Sequence, residues 1–325
     1  MKILLTGASG FLGTSLCKAL AIRGHELVQL NSKNCNLIVR DSLAKFNDFV
    51  FDQIYHLAAW TQAGDFCLSH QGEQWIINQQ INTNLLAWWK EYHPQAKLLC
   101  IGTSCAYDPN EELIEENYLK GTPIDSLFAY AMTKRMLYVG LRALNRQFGL
   151  KYLYIVPSTL YGPGYHTDGR QMHFIFDLIR KIIRGKLYDE SVVLWGDGYQ
   201  RRELIFLDDF VRIILALNDK CENELINAGA GEEFTIRHFA NLICEKVDYN
   251  FDKIEFDESR YVGATSKCLK IDKLKRLVPD LELTPLKLGL EKTIEWFETE
   301  KENIFRNELG TLWSCEKFRN KLRKN

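Results

Sequence analysis

The sequence lacks the features that mark several large classes of protein. Its 41 Lys and Arg residues are balanced by 42 Asp and Glu residues, for a net charge of −1, so no excess of positive charge favours nucleic acid as a partner. No apolar stretch reaches the length of a membrane span, and glycines interrupt the apolar run after Lys2 before it could form a signal peptide. We therefore expect a cytoplasmic protein that is not membrane-bound and whose partners are small molecules.

Nine cysteines are scattered along the chain without a CxxC pair. An odd number at irregular spacing predicts neither a disulfide framework nor a structural zinc site. We interpret the cysteines as reduced thiols and predict no metal site. Internal repeats and low-complexity linkers are also lacking, so the 325 residues suit either two domains or one large α/β unit with an appended lobe.

Short apolar runs alternate with helical patterns along the first half of the chain. The predicted strands cover residues 2–5, 26–30, 53–57, 97–101 and 152–156. Helical patterns at 13–23 and about 127–148 are followed by Gly24 and Gly149, and glycine is favoured directly after a helix. This order predicts an α/β fold, a Rossmann-type doubly wound parallel sheet.

Three glycines at three-residue spacing follow the first predicted strand directly. A loop without β-carbons can turn tightly and bring backbone N–H groups against a pyrophosphate, which the N-terminus of the next helix also attracts. The sequence therefore predicts a dinucleotide site here, although an ordinary glycine turn remains the alternative. The loop residues expected to contact the cofactor are Gly7, Ser9, Gly10, Phe11, Leu12 and Gly13.

The cofactor preference depends on the end of the second predicted strand, which contacts the adenosine ribose in dinucleotide folds. The sequence there is Leu-Asn-Ser-Lys at residues 30–33, without the acidic side chain that favours a free 2′-hydroxyl. Asn31 and Lys33 are the candidate contacts, and the basic Lys33 favours a 2′-phosphate. We predict NADP(H), with NAD(H) as the alternative.

The composition changes after Tyr161-Gly162-Pro163, and we place a domain boundary there. Residues 1–163 form the predicted NADP(H)-binding Rossmann domain, with a returning segment at about 203–229. Within that segment, residues 224–229 have the pattern of one more buried strand. Residues 164–202 and 230–325 form a smaller, C-terminal substrate-binding lobe, in which Thr235 is the predicted N-cap of a helix that ends near residue 247.

Tyr130 and Lys134 lie four residues apart in a predicted helix, so their side chains share one face. A neighbouring ammonium stabilises a phenolate and should lower the pKa of the Tyr towards the range useful for proton transfer. Pairs of this kind are also common on helix surfaces, so the pair needs support from other residues. Thr103 gives it, because this hydroxyl follows the strand at 97–101, at the edge of the sheet where ligands bind.

The glycine spacing, Thr103 and the YxxxK pair together resemble the extended short-chain dehydrogenase/reductase superfamily, or NAD-dependent epimerase/dehydratase family, over nearly the whole chain. The resemblance implies that Tyr130 is the acid or base and that Lys134 binds the nicotinamide ribose and lowers the pKa of Tyr130. It also implies that Thr103 polarises the substrate carbonyl. The further cofactor contacts that it implies are Leu57, Ala58, Ala59, Pro157, Thr159 and Leu160.

The residues around Thr103 narrow the resemblance. The sequence Gly-Thr-Ser-Cys-Ala-Tyr at 102–107 lacks the Thr-Asp-Glu of the nucleotide-sugar dehydratases. It is similar to the Gly-Ser-Ser-Cys-Ile-Tyr of the GDP-L-fucose synthase family, which epimerises a GDP-4-keto-6-deoxy sugar at C3 and C5 and reduces it at C4. This chain departs from that family by Thr103 in place of Ser, Lys181 in place of Arg, and Thr-Ser-Lys at 265–267 in place of Pro-Arg-Lys.

The narrower resemblance implies roles for six further residues. Cys105 and His173 correspond to the pair that exchanges protons at C3 and C5, and the implied substrate contacts are Ser104, Lys181, Trp195 and Arg202. Four of the six have a simpler explanation from the sequence alone. Cys105 can be a packed small side chain, His173 a structural histidine, and Trp195 and Arg202 ordinary contacts between domains.

The leading hypothesis is an NADP(H)-dependent epimerase/reductase of a 4-keto-6-deoxy nucleotide sugar, GDP-linked by resemblance. One alternative keeps the fold but omits 3,5-epimerisation, as in a 4-reductase or a 4-epimerase. Another is a non-catalytic NADP(H)-binding regulator, which the set of Thr103, Tyr130 and Lys134 disfavours. The resemblance also implies a homodimer, because the helices that carry YxxxK commonly pair between subunits.

Overall fold

Strands and helices alternate along most of the computed structural model, which describes residues 1–63, 66–260 and 264–322, with side chains as far as residue 307. Residues 261–263 and 323–325 of the predicted lobe lie outside the described residues. The strands are β1 (Lys2–Thr6), β2 (Glu26–Leu30), β3 (Gln53–His56), β4 (Lys97–Ile101), β5 (Tyr152–Pro157), β6 (Thr159–Tyr161), β7 (Val192–Trp195), β8 (Arg201–Arg202), β9 (Leu204–Phe206), β10 (Glu224–Ala228), β11 (Phe234–Thr235) and β12 (Ile254–Asp257). The helices are α1 (Phe11–Ile22), α2 (Phe66–Ser69), α3 (Gln71–Tyr92), α4 (Phe128–Phe148), α5 (Phe174–Tyr188), α6 (Leu207–Lys220), α7 (Ile236–Val247), α8 (Asp272–Leu277) and α9 (Leu286–Leu322).

Six of these strands form one parallel sheet in the order β10-β5-β4-β3-β1-β2. Leu4 of β1 is paired with Val28 of β2 on one side and with Ile54 of β3 on the other. β2 therefore lies on one side of β1 and β3 on the other, so the order in which strands are added reverses between β1 and β3. Open sheets of this kind bind ligands at such a point. The predicted fold class is confirmed, and the predicted strand at 224–229 is the edge strand β10 beside β5.

The ends of several helices follow the local sequence signals. α4 ends at Phe148 and is followed by Gly149 at φ 70°, a left-handed conformation that glycine adopts without steric cost. α7 begins directly after Thr235, whose hydroxyl accepts a hydrogen bond from the backbone N–H of His238 at 3.1 Å. α1 begins at Phe11, two residues earlier than predicted, because the extended Gly10 is already its N-cap.

The buried apolar side chains form two hydrophobic clusters. The larger one packs against the parallel sheet and includes Leu4, Ile54 and Leu99. The second is formed largely by α5, α7 and α9, with Phe239 and Phe297 fully buried in it. The ring of Phe11 packs against both clusters, so the glycine loop joins them. The proposed domain boundaries remain a prediction.

Candidate active site

The glycine loop is shaped by close approaches of backbone to backbone. Gly7 has φ +70°, and a β-carbon there would lie 2.8 Å from the backbone N of Ala58, at the end of β3. A β-carbon on Gly13 would lie 2.2 Å from the carbonyl oxygen of Gly7. Gly10 is the N-cap of α1 and gives it no side-chain cap. The N–H groups of this helix end are therefore available to an anion, and the loop fits the pyrophosphate of a dinucleotide.

The other predicted cofactor residues lie along the same edge of the sheet. Ser9 and Gly10 are exposed at the tip of the loop, and Leu12 is buried beneath it. The remaining ones follow β3 or lie in β5 and β6, where Leu57, Ala58, Ala59, Pro157, Thr159 and Leu160 are partly exposed. The carboxyl ends of β3 and β5 lie on either side of β4 in the parallel sheet, which suits a ligand that crosses the sheet edge.

Asn31 and Lys33 differ in what they can offer to the cofactor. The side-chain oxygen of Asn31 accepts hydrogen bonds from the backbone N–H groups of Lys33 at 2.9 Å and Asn34 at 3.3 Å. This carbonyl therefore holds the turn after β2, whereas the Lys33 side chain is exposed. Of the two, Lys33 is the residue placed to meet a phosphate.

Thr103, Tyr130 and Lys134 come together at the end of β4. Lys134 is only 7% exposed, and its Nζ donates a hydrogen bond to the carbonyl oxygen of Ile101 at 2.8 Å. The same Nζ lies 6.0 Å from the centre of the Tyr130 ring. Burial lowers the pKa of Lys134 to about 8. The hydrogen bond to Ile101 thus fixes the buried ammonium at the carboxyl end of β4.

The expectation that Lys134 lowers the pKa of Tyr130 is not met in this structure. Burial raises the pKa of the phenol above its ordinary value, neighbouring Cys105, Cys67 and Tyr118 raise it further, and only the nearby Thr103 hydroxyl lowers it. The hydrogen bond of Lys134 goes to a backbone carbonyl, so burial dominates. Tyr130 is therefore protonated at neutral pH, which is the form needed to donate a proton.

Cys105 lies in a one-turn 3₁₀ segment, Ser104–Ala106, directly after β4. The Thr103 hydroxyl accepts a hydrogen bond from the backbone N–H of Cys105 at 3.2 Å, and Nζ of Lys267 donates one to Sγ at 2.9 Å. Burial by itself raises the pKa of the thiol. The charge and hydrogen bond of Lys267, the Thr103 hydroxyl and the charge of Arg202 together bring this pKa below its ordinary value.

The sequence reasoning did not assign a role to Lys267, which lies 162 residues from Cys105. The only indication in the sequence was that Lys267 matches the Lys of the Pro-Arg-Lys sequence in the GDP-L-fucose synthase family. Cys105, Lys267, Ser104 and Arg202 line a cavity of about 150 Å³. Several of the residues around it, including Lys267 and Ser266, also line a larger neighbouring cavity of about 820 Å³. Together, these cavities can hold a ligand larger than a single sugar.

His173 is the N-cap residue of α5, and its backbone N–H donates a hydrogen bond to the hydroxyl of Tyr165 at 3.3 Å. Tyr165 stacks on Phe176 at 3.9 Å, and Phe11 of the glycine loop meets it edge-on at 5.2 Å. The His173 residue is exposed by its accessible surface, although protein atoms crowd the ring. This loss of hydration, with the charge of Lys267, lowers the pKa of His173.

Two predicted substrate contacts lie away from the thiol. Lys181 of α5 forms an ion pair with Asp177 at 3.3 Å and donates to the carbonyl oxygen of Val193 at 3.1 Å. Trp195 is 47% exposed at the end of β7, with the guanidinium of Arg260 at 5.5 Å from its ring centre. Within the described part of the chain, neither residue lines the two cavities. Ser104 and Arg202 do lie at the small cavity.

Among the side chains of residues 1–63, 66–260 and 264–307, no group of three or more His, Cys, Asp or Glu is placed to hold a metal ion. The helices of these same residues include none with the length and apolar character needed to cross a bilayer.

The doubly wound sheet, the glycine loop at its switch point and the Thr-Tyr-Lys set define a dinucleotide-dependent enzyme of the short-chain dehydrogenase/reductase type. Comparison with known families agrees. Residues 3–229 match the NAD dependent epimerase/dehydratase family, and the chain belongs to that family.

Individual relatives come from several organisms. The chain is 30% identical to the GDP-L-fucose synthase of Dictyostelium discoideum over 306 residues, which cover 91% of this chain and 94% of that protein. It is 26% identical to a dTDP-4-dehydro-6-deoxy-D-allose reductase of a Streptomyces species, over 92% of this chain and 97% of that protein. The fold is similar to that of a Naegleria fowleri GDP-L-fucose synthetase bound to NADP, with a TM-score of 0.81, 24% identity, and coverage of 93% of this chain and 95% of that one.

Proposed function

We propose that this protein is an NADP(H)-dependent epimerase/reductase of a 4-keto-6-deoxy nucleotide sugar, with GDP as the nucleotide. The observation that carries the proposal is the 2.9 Å contact between Lys267 and Cys105, beside the Thr-Tyr-Lys set. A plain reductase needs only that set, which we call the reductive group: Thr103, Tyr130 and Lys134. A thiol with a lowered pKa in the same site supplies a base that reduction does not use.

The epimerisation is assigned to a second set, which we call the epimerising group: Cys105, His173 and Lys267. A ketone at C4 makes the protons at C3 and C5 acidic. The Cys105 thiolate removes such a proton, so that a C–H bond breaks, an S–H bond forms and the electron pair moves to the ketone oxygen as an enolate. His173 is assigned the return of a proton to the carbon from the other side. Its lowered pKa makes the imidazolium a stronger acid, although a smaller fraction of His173 is protonated at neutral pH.

The reduction is assigned to the reductive group. The cofactor, when bound in the glycine loop, supplies the hydride that C4 receives. Thr103 and Tyr130 hold the ketone oxygen by their hydroxyl groups, and Tyr130 then gives its proton to that oxygen. The raised pKa of Tyr130 keeps this proton in place until negative charge develops on the substrate. Lys134, held by its hydrogen bond to the Ile101 carbonyl oxygen, keeps a positive charge near the phenol and would contact the nicotinamide ribose of a bound cofactor.

The remaining assignments concern the ligand and the cofactor form. The guanidinium of Arg202 borders the small cavity, where it can meet a diphosphate. Lys33 is exposed at the end of β2, where it favours the 2′-phosphate of NADP(H). We further propose residues 1–163 with the returning segment at about 203–229 as the cofactor domain, and 164–202 with 230–325 as the substrate lobe. GDP is chosen because the Dictyostelium and Naegleria relatives are named for a GDP sugar.

The proposal is tested by incubating the purified protein with GDP-linked and dTDP-linked 4-keto-6-deoxy sugars, with NADPH or NADH. We expect NADPH oxidation with the GDP sugar and a product inverted at C3 and C5, read by NMR coupling constants. NADPH oxidation without inversion would make the protein a 4-reductase, the function for which its Streptomyces relative is named. Inversion at C4 alone, without net oxidation of cofactor, would identify a 4-epimerase, and binding of NADPH without turnover would identify a regulator.

We also propose a homodimer formed through α3 and α4, which pack against each other. Large apolar side chains on these helices are exposed in the single chain, with Trp75 at 48%, Ile76 at 52%, Met136 at 44% and Val139 at 40%. Exposed apolar side chains of this kind are typical of subunit interfaces, where a second subunit covers them. Light scattering should give a dimer, and Val139→Glu should give a monomer. A monomeric wild-type protein would refute this proposal.

We place the protein in the cytoplasm, since the proposed chemistry needs Cys105 as a thiol and reducing compartments keep thiols reduced. Fractionation of cells that produce the protein should recover it with cytoplasmic markers.

A further inference from the structure

Nζ of Lys267 donates a hydrogen bond to Sγ of Cys105 at 2.9 Å. We propose that Lys267 is a positioning residue that holds Cys105 as a thiolate and aims its sulfur at the small cavity. The role of the thiolate in epimerisation rests on the proposed function. The ionisation of the Cys105 thiol does not depend on the proposed function. The effect of Lys267 on the thiol and the epimerase activity can therefore be tested separately.

The backbone around Lys267 is fixed by a carboxylate. Glu233 accepts hydrogen bonds from the backbone N–H of Lys267 at 3.0 Å and from the hydroxyl of Ser266 at 2.8 Å. The backbone N–H of Arg201 donates to the carbonyl oxygen of Thr265 at 2.8 Å, which holds the preceding residues against β8. These contacts leave the Lys267 side chain as the part of the segment that reaches Sγ of Cys105 at 2.9 Å.

The sulfur is fixed from the other side as well. Cys105 lies one residue beyond Ser104 in a turn that Thr103 caps by accepting the Cys105 N–H at 3.2 Å. This turn follows β4 directly, so its position is set by the central sheet. Lys267 thus approaches a sulfur that has little freedom to move, and the Nζ to Sγ contact joins the substrate lobe to the cofactor domain.

The charges around the thiol single out Lys267. The ionisable groups that interact with Cys105 are Lys267, Arg202, Tyr118, Tyr130 and Cys67. The last three are uncharged at neutral pH when their protons are in place. Arg202 contributes charge, but its guanidinium donates to the carbonyl oxygen of Ala264 at 2.8 Å. Lys267 supplies both charge and a direct hydrogen bond, which is the stronger combination.

Lys267 also acts on the second member of the proton-transfer pair. Burial first, and then the positive charge of Lys267, lower the pKa of His173, so the imidazolium becomes a stronger acid but a less populated form. Removal of the Lys267 charge should therefore weaken the base at Cys105 and raise the pKa of His173.

The experiment measures the alkylation rate of Cys105 by iodoacetamide at intervals from about pH 5 to about pH 9, with the modified peptide identified by mass spectrometry. Only the thiolate reacts, so the midpoint of the rate profile reports the pKa of Cys105. We expect a wild-type midpoint below about 8.5, the value of a free thiol. A midpoint at or above that value in the wild-type protein would overturn the proposal, whatever the variants do.

Three variants make the measurement specific. Lys267→Met should raise the midpoint and slow alkylation at pH 7 by about tenfold, the effect of one pKa unit. Lys267→Arg keeps the charge and should restore most of the rate, and Glu233→Gln, which weakens the support of the backbone, should give an intermediate rate. Lys270→Met removes an exposed charge from the same segment and is the matched control, with no expected change. Equal profiles for Lys267→Met and wild type would refute the role of Lys267.

The same variants are then assayed for exchange of deuterium from D₂O into C3 and C5 of the 4-keto sugar. Lys267→Met should lose exchange about tenfold, in step with alkylation. If the wild-type protein showed the lowered midpoint but no exchange, the proposed function would fail while the Lys267 proposal stood. Circular dichroism and binding of NADPH verify that each variant is folded, and Lys267→Gln replaces Lys267→Met if the latter does not fold.

Discussion

The reductive group comes from the end of β4 and the first two turns of α4, which lie next to each other beside the central sheet. The epimerising group comes from three places far apart in the chain: the turn after β4, the N-cap of α5 and the segment after residue 263 that precedes α8. The first group is held by regular structure, and its buried Lys134 bonds to the backbone of β4 itself. The second is held by side-chain contacts between segments that are distant in the sequence, such as Lys267 with Cys105.

This difference teaches that the two halves of the proposed reaction should fail separately. A change in the sheet or α4 should affect proton donation to the ketone oxygen and leave exchange at C3 and C5. A change in the contact between Lys267 and Cys105 should do the reverse. The predictions below test this separation in order of decreasing effect.

The largest expected effect is on reduction. Tyr130→Phe removes the proton donor, so NADPH oxidation should fall by about a thousandfold, within the range for loss of a general acid. Deuterium exchange at C3 and C5 should remain within a few-fold of the wild-type rate. Tyr138→Phe, on the same helix but within an aromatic cluster, is the control. Loss of exchange in Tyr130→Phe would show that the two groups are not separable.

The reverse experiment uses Cys105→Ser, whose hydroxyl is far less acidic than the thiol. Exchange at C3 and C5 should fall by about a hundredfold, while the ketone is still reduced, so that the product is a 4-hydroxy sugar with its original configuration at C3 and C5. Cys268→Ser is the control, since burial raises the pKa of that thiol to about 12. An inverted product from Cys105→Ser would remove the thiol from the mechanism.

A smaller effect is expected where the glycine loop meets His173. Tyr165→Phe removes the hydroxyl that accepts the His173 N–H at 3.3 Å but keeps the ring between Phe11 and Phe176. The loss of one hydrogen bond should slow exchange by about fivefold, with little change in the KM for NADPH. An equal drop in reduction would mean that Tyr165 supports the whole site and not His173 alone.

The smallest expected effect concerns the thermal stability of the protein and its dependence on Glu203. Glu203 is 3% exposed and accepts the backbone N–H groups of Gly231 and Leu269, each at 2.8 Å. Burial raises its pKa to about 7. A carboxyl whose pKa is raised in the folded state stabilises the fold when it is protonated. The stability of the protein should therefore fall as the pH rises from the ordinary pKa of a glutamate through about 7.

The melting temperature measured by differential scanning calorimetry should therefore fall by roughly 2–4 °C more in the wild-type protein than in Glu203→Gln over this pH range. Glu233→Gln serves as a comparison, because its carboxyl is less buried. Parallel curves for wild type and Glu203→Gln would show that Glu203 does not titrate in this range.

The sequence was most informative about the reductive group and the sheet. Strand alternation and the glycine spacing fix local geometry, and the spacing of Tyr130 and Lys134 places both on one face of α4. Lys267 could not be found in the same way, because its contact with Cys105 spans 162 residues and depends on how these distant segments pack together. The pKa of Tyr130 was also mispredicted, since a spacing argument contains the neighbouring charge but not the burial that outweighs it.

The most direct test of the account is the position of deuterium in the product of the wild-type protein. The reaction is run in D₂O with GDP-4-keto-6-deoxymannose and unlabelled NADPH, and the product is analysed by NMR. We predict deuterium at both C3 and C5 and hydrogen from NADPH at C4. A reduced product without deuterium at C3 and C5 would contradict the claim that this site carries a working epimerising group beside its reductive group.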